Sequence, residues 1–247
     1  MIDPSVRVLP NLEGAANALA ATVATSIHEA AERRGRVTLV FSGGSTPRPL
    51  HRALASDYED LPWTATHVFL GDERHVPRDS PHSNYAMLSE TLLDHVRIAP
   101  ENVHPWATDL PRPEDTADAM ELLLKEFFEG RLPRFDVIIL GIGDDGHTAS
   151  LFPNSPALNV PDRLAVAARA PDEPRERMTL TLPVINNARA VHFLVAGAAK
   201  RHALQCAFGS PKGMQSCPAS LVNPTDGSLT WWLDEEAAAI LPDVAGQ

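Results

Sequence analysis

The sequence has few of the features that mark secreted, membrane-bound or nucleic-acid-binding proteins. Only two of its 247 residues are cysteines, Cys206 and Cys217, and their spacing is that of neither a zinc ribbon nor a redox C-x-x-C motif. No apolar run approaches the ~20 residues that span a bilayer, and the first residues lack a basic region followed by an apolar core. Lysine and arginine total 21 against 32 aspartates and glutamates, and no basic cluster stands out. We therefore expect a cytoplasmic protein with reduced cysteines, no nucleic-acid partner and no membrane anchor.

The composition that remains is that of an ordinary globular protein. The chain is 44% hydrophobic and 21% charged, and its length suits one large α/β domain or two small ones. A chain of this size buries roughly three quarters of its unfolded surface, so it needs neither a disulfide nor a metal ion to fold. No internal repeat or low-complexity linker divides it, and we predict a single domain over residues 1–247. A net charge of −11 still allows a small anionic ligand, because a few arginines can make a locally positive pocket.

Helix-like and strand-like segments alternate along the chain. Helical spacing of apolar residues predicts helices over residues 12–35, 47–55, 84–96, 114–129, 180–187 and 198–208, the first capped by Asn11. Short apolar runs predict strands over residues 37–41, 67–70, 136–140, 191–195 and 229–233. The proline-rich stretches 100–113 and 153–174 are predicted to be surface loops that could form a rim or lid. This alternation predicts an α/β fold, with a largely parallel open sheet covered by helices on both faces.

Residues 135–153 present a candidate catalytic histidine. The apolar run Val137–Leu140 leads into glycines and then into Asp145 and His147, at the strand end where open α/β sheets place their ligands. Histidine titrates nearest to neutral pH and suits general acid–base catalysis; a purely structural histidine is the alternative. The glycines also fit the G-x-G-x-x-G dinucleotide fingerprint, but that match is weak, since two aspartates would face the pyrophosphate. We interpret the glycines as room for the backbone to approach a small ligand.

Two further polar clusters follow predicted strands. The first is a loop of glycines and hydroxyls ahead of a predicted helix, which can cradle a phosphate although it lacks the end of a Walker A motif. Its residues are Ser42, Gly43, Gly44, Ser45 and Thr46. The second holds Asp72 and Arg74, an acid and a guanidinium that can bind sugar hydroxyls or stabilise an oxyanion. A capped glycine turn and a surface ion pair are the structural alternatives.

Two separate basic residues complete the set of candidate residues. Arg177 lies just ahead of the predicted helix 180–187, and Lys200 lies in the first turn of the predicted helix 198–208. The first turn of a helix is unfavourable for a cation unless an anion sits there too, although both side chains could be ordinary solvated charges. Because the ends of parallel strands converge on one edge of a sheet, we expect these clusters to meet.

In this order, the motifs resemble the glucosamine-6-phosphate isomerase/6-phosphogluconolactonase superfamily, and within it the lactonases. The segments that carry the resemblance are SGGSTP at 42–47, DERHVP at 72–77, LGIGDDGHTASLFP at 140–153, RMT at 177–179, GAAK at 197–200 and PAS at 218–220. The resemblance spans roughly residues 10–240. The related deaminases have a catalytic glutamate in the segment after the histidine, where this chain has TASLFP at 148–153 and an apolar residue at the glutamate position. This departure favours a lactonase.

The resemblance implies a Rossmann-like fold of the glucosamine-6-phosphate isomerase type and a function. The function is hydrolysis of 6-phospho-D-glucono-1,5-lactone to 6-phosphogluconate in the oxidative pentose phosphate pathway, with no metal and no cofactor. His147 is then the general base, oriented by Asp145 or Asp72, and Arg74 either holds phosphate or stabilises charge at the reacting end. The residues implied to hold the phosphate are those of the loop 42–46, Arg177 and Lys200.

Other functions and the oligomeric state stay open at this point. A sugar-phosphate isomerase or deaminase on the same fold, a non-catalytic sugar-phosphate sensor and a nucleotide-dependent oxidoreductase are the competing functions. The sensor hypothesis is disfavoured, because such a domain is usually joined to a DNA-binding helix and the sequence has no basic helical segment. We expect a monomer, with a weak homodimer as the alternative.

Overall fold

Two sheets organise the chain, and the computed structural model describes residues 4–209 and 215–241. The strands are β1 (Ser5–Leu9), β2 (Val37–Phe41), β3 (Thr66–Leu70), β4 (Asp72–Arg74), β5 (Val103–His104), β6 (Val137–Leu140), β7 (Ala165–Arg169), β8 (Glu176–Leu180), β9 (Ala190–Val195) and β10 (Ser228–Asp234). A parallel sheet has the order β1-β10-β9-β6-β2-β3-β5, and a small antiparallel sheet has the order β4-β8-β7.

Helices cover the parallel sheet. They are α1 (Leu12–Arg34), α2 (Arg48–Ser56), α3 (Asn84–Thr91), α4 (Pro113–Phe127), α5 (Leu182–Ile185), α6 (Arg201–Gly209) and α7 (Glu235–Ala238). Every residue of β2 and β6 is buried, as in a sheet with both faces covered rather than one face in water. The predicted α/β fold with a largely parallel sheet is therefore confirmed. In the described part of the chain, no helix is long and apolar enough to cross a membrane. The single domain over 1–247 stays a prediction.

The first helix shows how local sequence fixes an element. The side chain of Asn11 accepts a hydrogen bond from the N–H of Gly14 at 2.8 Å, which satisfies one of the unpaired donors at the start of α1. Gly35 ends the helix in the left-handed conformation, at φ 66°. Between these ends, Leu19, Val23 and other apolar residues are fully buried against the sheet. The predicted start, cap and end of this helix are confirmed.

The two predicted loops were wrong in part. The stretch 153–174 contains a turn of 3₁₀ helix, Pro156–Asn159, and the strand β7. The stretch 100–113 contains a second such turn, Pro100–Asn102, and the short strand β5. β5 pairs with the earlier strand β3, Val103 opposite Val68, whereas β7 forms a hairpin with the next strand, β8, Arg169 opposite Glu176.

Several predicted helices are shorter in the structure. Residues up to Leu180 belong to β8, and only α5 is helical, because proline is tolerated only in the first turn and Pro183 forbids an earlier start. The helix predicted over 84–96 ends at Thr91 and is followed by a 3₁₀ turn. The helix predicted over 114–129 ends at Phe127, after which Glu129 and Gly130 take positive φ angles of 54° and 75° and turn the chain.

The order of the strands creates a crevice between β2 and β6. β2 and β6 are neighbours in the sheet. The strands that follow β2 in sequence, β3 and β5, lie on one side of this pair, and those that follow β6, β9 and β10, lie on the other side. Ligands of open α/β sheets bind where the strand order reverses in this way. The loops 42–46 and 141–147 leave β2 and β6 at this point. β4 follows directly on β3, so the small sheet stands beside the same crevice.

Candidate active site

A cavity of about 540 Å³ opens at the crevice. Every candidate site residue named from the sequence lines it: Ser42, Gly43, Gly44, Ser45, Thr46, Asp72, Arg74, Asp145, His147, Arg177 and Lys200. The expected convergence of the strand ends is therefore observed. The roles of these residues stay predictions.

His147 is bonded to Asp145. Its Nδ1 lies 2.5 Å from Oδ1 of Asp145, and its backbone N–H donates to the same oxygen at 3.0 Å. Burial opposes ionisation of Asp145, but the hydrogen bonds from the His147 ring and backbone outweigh it, so the pKa of the carboxyl lies below its ordinary value. An ionised carboxylate only accepts hydrogen bonds, so in the neutral ring Nδ1 carries the proton and Nε2 is the basic nitrogen. No described residue forms a hydrogen bond with that Nε2.

The loop after β6 is shaped around the histidine ring. The N–H of Gly143 donates to the carbonyl of His147 at 2.8 Å, which closes the loop. A β-carbon on Gly143 would lie 2.0 Å from Nδ1 of His147. This glycine therefore makes room for the imidazole of His147, whereas the sequence led us to expect room for a ligand. The ring of Phe152 packs against the imidazole of His147 in a tilted arrangement, with 4.8 Å between the ring centroids.

Two arginines face each other beside the cavity. Arg74 and Arg177 are directly paired in the register of β4 and β8, so their side chains lie on the same face of the small sheet. Within residues 4–209 and 215–241, neither guanidinium forms an ion pair with a carboxylate, although Arg74 donates to the carbonyl of His82 at 2.6 Å. Nε of Arg177 is buried and has no hydrogen-bond partner there. Burial, and then the charge of Arg74, lower the pKa of Arg177. Such a pair is suited to an anion with several oxygens.

Asp72 does not contact His147. Its Oδ2 accepts a hydrogen bond from Oγ of Ser150 at 2.6 Å, and its backbone carbonyl accepts one from Nδ2 of Asn84 at 2.9 Å. The sequence left open whether Asp72 or Asp145 orients the histidine, and the geometry favours Asp145. The Ser150 contact was missed, because nothing in the local pattern relates residues 78 positions apart.

Glu73 is a structural anchor that lies between two of the predicted site residues. It lies between Asp72 and Arg74 on a strand, so its side chain points to the opposite face, and it is 1% exposed. Its carboxylate accepts hydrogen bonds at 2.8 Å from the backbone N–H groups of Arg74, Asn84 and Tyr85. Burial raises the pKa of Glu73, and these three bonds oppose the rise. Had β4 been predicted as a strand, the alternation of its side chains would have placed Glu73 on the face opposite Asp72 and Arg74.

The glycine loop packs against Asn84. A β-carbon on Gly43 would lie 1.8 Å from Oδ1 of Asn84, and the same side chain bonds to Asp72. The loop leads into α2, whose N-cap is Pro47, a residue with no side-chain group to satisfy the free N–H donors of the first turn. Gly44 has a φ of 93°, which glycine adopts most readily. These features suit the loop to binding a small anion.

Lys200 is paired with a residue that the sequence analysis did not assign to it. Its Nζ lies 2.6 Å from Oδ1 of Asp144, in the loop after β6. Lys200 ends a 3₁₀ turn, Ala198–Lys200, that runs into α6. A cation in the first turn of a helix was expected to have an anion beside it, and the carboxylate of Asp144 is such an anion.

Among the residues that the structure describes, no three His, Cys, Asp or Glu side chains are grouped so that they could hold a metal ion. That no metal and no cofactor take part stays a prediction. Cys206 and Cys217 are both thiols, and burial, with a hydrogen bond to Cys206, raises the pKa of Cys217 to about 12.

Known proteins resemble this chain over nearly its whole length. The sequence profile of a family described as glucosamine-6-phosphate isomerases/6-phosphogluconolactonase matches residues 10–231. The chain is 46% identical to the 6-phosphogluconolactonase of Synechocystis sp. over 237 residues, which are 95% of this chain and 97% of that protein. It superposes on the 6-phosphogluconolactonase structure from Trypanosoma brucei with a TM-score of 0.85 and 28% identity, covering 98% of this chain and 100% of that one.

A deaminase structure shares the fold alone. A monomeric glucosamine-6-phosphate deaminase superposes with a TM-score of 0.82 over 96% of this chain and 99% of that one, at 18% identity. The fold type implied by the sequence motifs is therefore confirmed. With the extent and identity of the lactonase matches, the chain belongs to the family of glucosamine-6-phosphate isomerases and 6-phosphogluconolactonases, and is an enzyme of its 6-phosphogluconolactonase branch.

Proposed function

We propose that the protein hydrolyses 6-phospho-D-glucono-1,5-lactone to 6-phospho-D-gluconate in the oxidative pentose phosphate pathway. The observation that carries the proposal is the 2.5 Å contact between His147 and Asp145 at a cavity that also holds the arginines Arg74 and Arg177. His147 with Asp145 can activate water, and the two arginines can bind a phosphate. Relatives named 6-phosphogluconolactonase, at 46% and 42% identity, support the same substrate.

His147 is the general base in this proposal. Nε2 takes a proton from a water molecule as the water oxygen attacks C1 of the lactone, which forms a tetrahedral oxyanion. As the oxyanion collapses, the bond between C1 and the ring oxygen breaks, and the imidazolium returns the proton to that oxygen. Asp145 holds the ring in the required tautomer and stabilises the imidazolium. A δ-lactone is already activated, so no covalent nucleophile is needed, and base catalysis of this kind supplies roughly 10²–10⁴-fold.

The phosphate of the substrate binds the basic residues of the cavity. Because Arg74 and Arg177 lie opposite each other on neighbouring strands, the oxygens of one phosphate can contact both, and we assign Arg74 to the phosphate for that reason. Lys200 and the N–H and hydroxyl groups of the loop 42–46 complete the phosphate site. Binding energy at the phosphate, remote from C1, positions the lactone carbonyl at His147.

Asp72 has a binding role in this proposal. Ser150 and Asn84 fix its orientation, and it is 7% exposed at the wall of the cavity. A carboxylate so held accepts hydrogen bonds from the hydroxyl groups of the sugar ring. It acts on the substrate directly, because its partners keep it from His147.

Turnover of freshly generated 6-phosphogluconolactone tests the proposal. Spontaneous opening of the lactone is subtracted, and the variant His147→Ala is measured beside the parent. Fast turnover by the parent that is lost in the variant would support both the substrate and the base. Equal rates in the two proteins would remove His147 as the base, and a parent rate no faster than the background would overturn the lactonase proposal. Glucosamine 6-phosphate is the comparison substrate, and its conversion would support the deaminase alternative.

The cellular location and the oligomeric state belong to the same proposal. We propose a cytoplasmic monomer, with a weak homodimer as the alternative. Fractionation of cells that express the protein tests the first, and light scattering over a range of protein concentrations tests the second.

A further inference from the structure

Lys200 has a carboxylate partner within the cavity. The Nζ of Lys200 lies 2.6 Å from Oδ1 of Asp144, and both residues line the cavity. The side chain of Asp144 is 76% exposed, whereas that of Lys200 is 25% exposed. Asp144 directly precedes Asp145, the partner of His147. The ion pair therefore connects the loop that carries the base to a cation assigned to the phosphate.

The ion pair between Lys200 and Asp144 is weak enough for a phosphate to replace the carboxylate. Pairs between exposed charges stabilise a protein by about 0.2–1 kcal/mol, and the carboxylate of Asp144 loses little hydration when it pairs. A phosphate monoester carries about −1.5 to −2 charges near neutral pH and has three acceptor oxygens. It therefore replaces a singly charged, solvated carboxylate at a lysine with a net gain in attraction.

We propose that Asp144 sets the phosphate affinity of the site, because its carboxylate competes with the phosphate of substrate and product for Lys200. The inference rests on the proposed function, since it takes Lys200 as a phosphate ligand. Competition of this kind raises the dissociation constant of every phosphate ligand by the same factor.

The variant Asp144→Asn removes the competing charge while it keeps the size of the side chain. Binding of inorganic phosphate and of 6-phosphogluconate is measured by calorimetry, and lactone turnover is measured on the same preparations. We expect both dissociation constants, and KM for the lactone, to fall about two- to fivefold, the factor that corresponds to an exposed ion pair. The value of kcat should not rise, because the reacting end is unchanged.

Asp172→Asn is the matched control. Asp172 lines the same cavity and is exposed, and in the described part of the chain it has no hydrogen bond or ion pair. Its substitution removes the same charge from the same cavity without touching Lys200. An equal gain in phosphate affinity in Asp172→Asn would overturn the proposal, because the effect would then come from the overall charge of the cavity.

A double-mutant cycle with Lys200→Gln makes the test specific. If Asp144 acts through Lys200, Asp144→Asn leaves phosphate affinity unchanged in the Lys200→Gln background. A gain of the same size in both backgrounds, or no gain in either, would overturn the proposal, as would a failure of the parent and Asp144→Asn to bind phosphate. Phosphate binding does not depend on turnover, so a protein that shows the Asp144 effect but hydrolyses no lactone would refute the proposed function alone.

Discussion

The imidazole of His147 occupies the space where a side chain on residue 143 would begin. A β-carbon on Gly143 would lie 2.0 Å from Nδ1 and 2.1 Å from Cε1 of the ring, and non-bonded atoms do not approach so closely. On its other side Nδ1 is bonded to Asp145. The ring keeps this bond only while residue 143 is glycine, so the loop sequence directly fixes the position of the imidazole.

Gly143→Ala should therefore inactivate the enzyme without unfolding it. The His147 side chain is 33% exposed and can turn away from the new methyl group, which breaks its bond to Asp145. We expect kcat for the lactone to fall by about 100-fold or more, as for loss of the base, with little change in the melting temperature. Gly141→Ala is the matched control, since a β-carbon there meets nothing within 4 Å. Near-normal kcat in Gly143→Ala would mean that the ring does not act from this position.

Asp145→Asn should lower kcat. The pKa of Asp145 lies below its ordinary value, so in the parent this carboxylate is ionised between pH 5 and 8 and causes no inflection of kcat/KM there. We expect kcat to fall at least about tenfold, because the tautomer is no longer fixed. A variant that keeps the kcat of the parent would remove Asp145 from the mechanism.

Arg177→Ala should weaken substrate binding without weakening the fold. Loss of one charge-assisted contact costs about 1.5–3 kcal/mol, which is roughly a 10- to 150-fold loss in kcat/KM, expressed mainly in KM. Stability should change little, because no described carboxylate forms an ion pair with Arg177, and the repulsion from Arg74 is removed together with the attraction of Asp72 and Glu73. Arg169→Ala is the control, since Arg169 is an exposed residue of the same sheet that pairs with Glu176. Unchanged kcat/KM in Arg177→Ala would mean that this arginine does not hold the phosphate.

Local sequence patterns predicted the parallel sheet and the gathering of the site. Strands such as β2 and β6 are continuous apolar runs that end in glycines, and these features are visible in any short window. The rule that parallel strand ends share one edge then brought the loops 42–46 and 141–147 together. The helix α1 was predicted with its cap, because the capping residue and the apolar period lie within the same segment.

The small sheet was not predictable in the same way. β4 has three residues, all charged, which is typical of a loop, and it becomes a strand by pairing with β8 about 100 residues later. The pairing of Arg74 with Arg177 depends on this long-range arrangement. The bonds of Asp72 to Ser150 and of Lys200 to Asp144 also join residues far apart in sequence. The sequence therefore identified the residues of the site but not their partners.

A buried histidine outside the site gives a further prediction. His51 of α2 is fully buried, and its Nδ1 lies 2.9 Å from Oγ1 of Thr91. Burial, and then the charge of Arg48, lower the pKa of His51 to about 3. The unfolded chain, in which an imidazole titrates near 6.5, thus takes up a proton here that the folded protein does not. The stability from neutral His51 is complete above pH 6.5 and is lost as the pH falls toward 3.

His51→Asn isolates this contribution, because asparagine keeps a polar atom near Thr91 but does not titrate. Between pH 7.5 and pH 5, the free energy of unfolding of the parent should fall by about 2 kcal/mol more than that of the variant. Denaturant titrations at the two pH values measure this difference, and the contributions of other buried histidines cancel in it. His28→Asn, at an exposed position of α1, should leave the pH dependence of the parent unchanged. Parallel stability curves for the parent and His51→Asn would show that the folded protein accommodates a charged imidazole at this position.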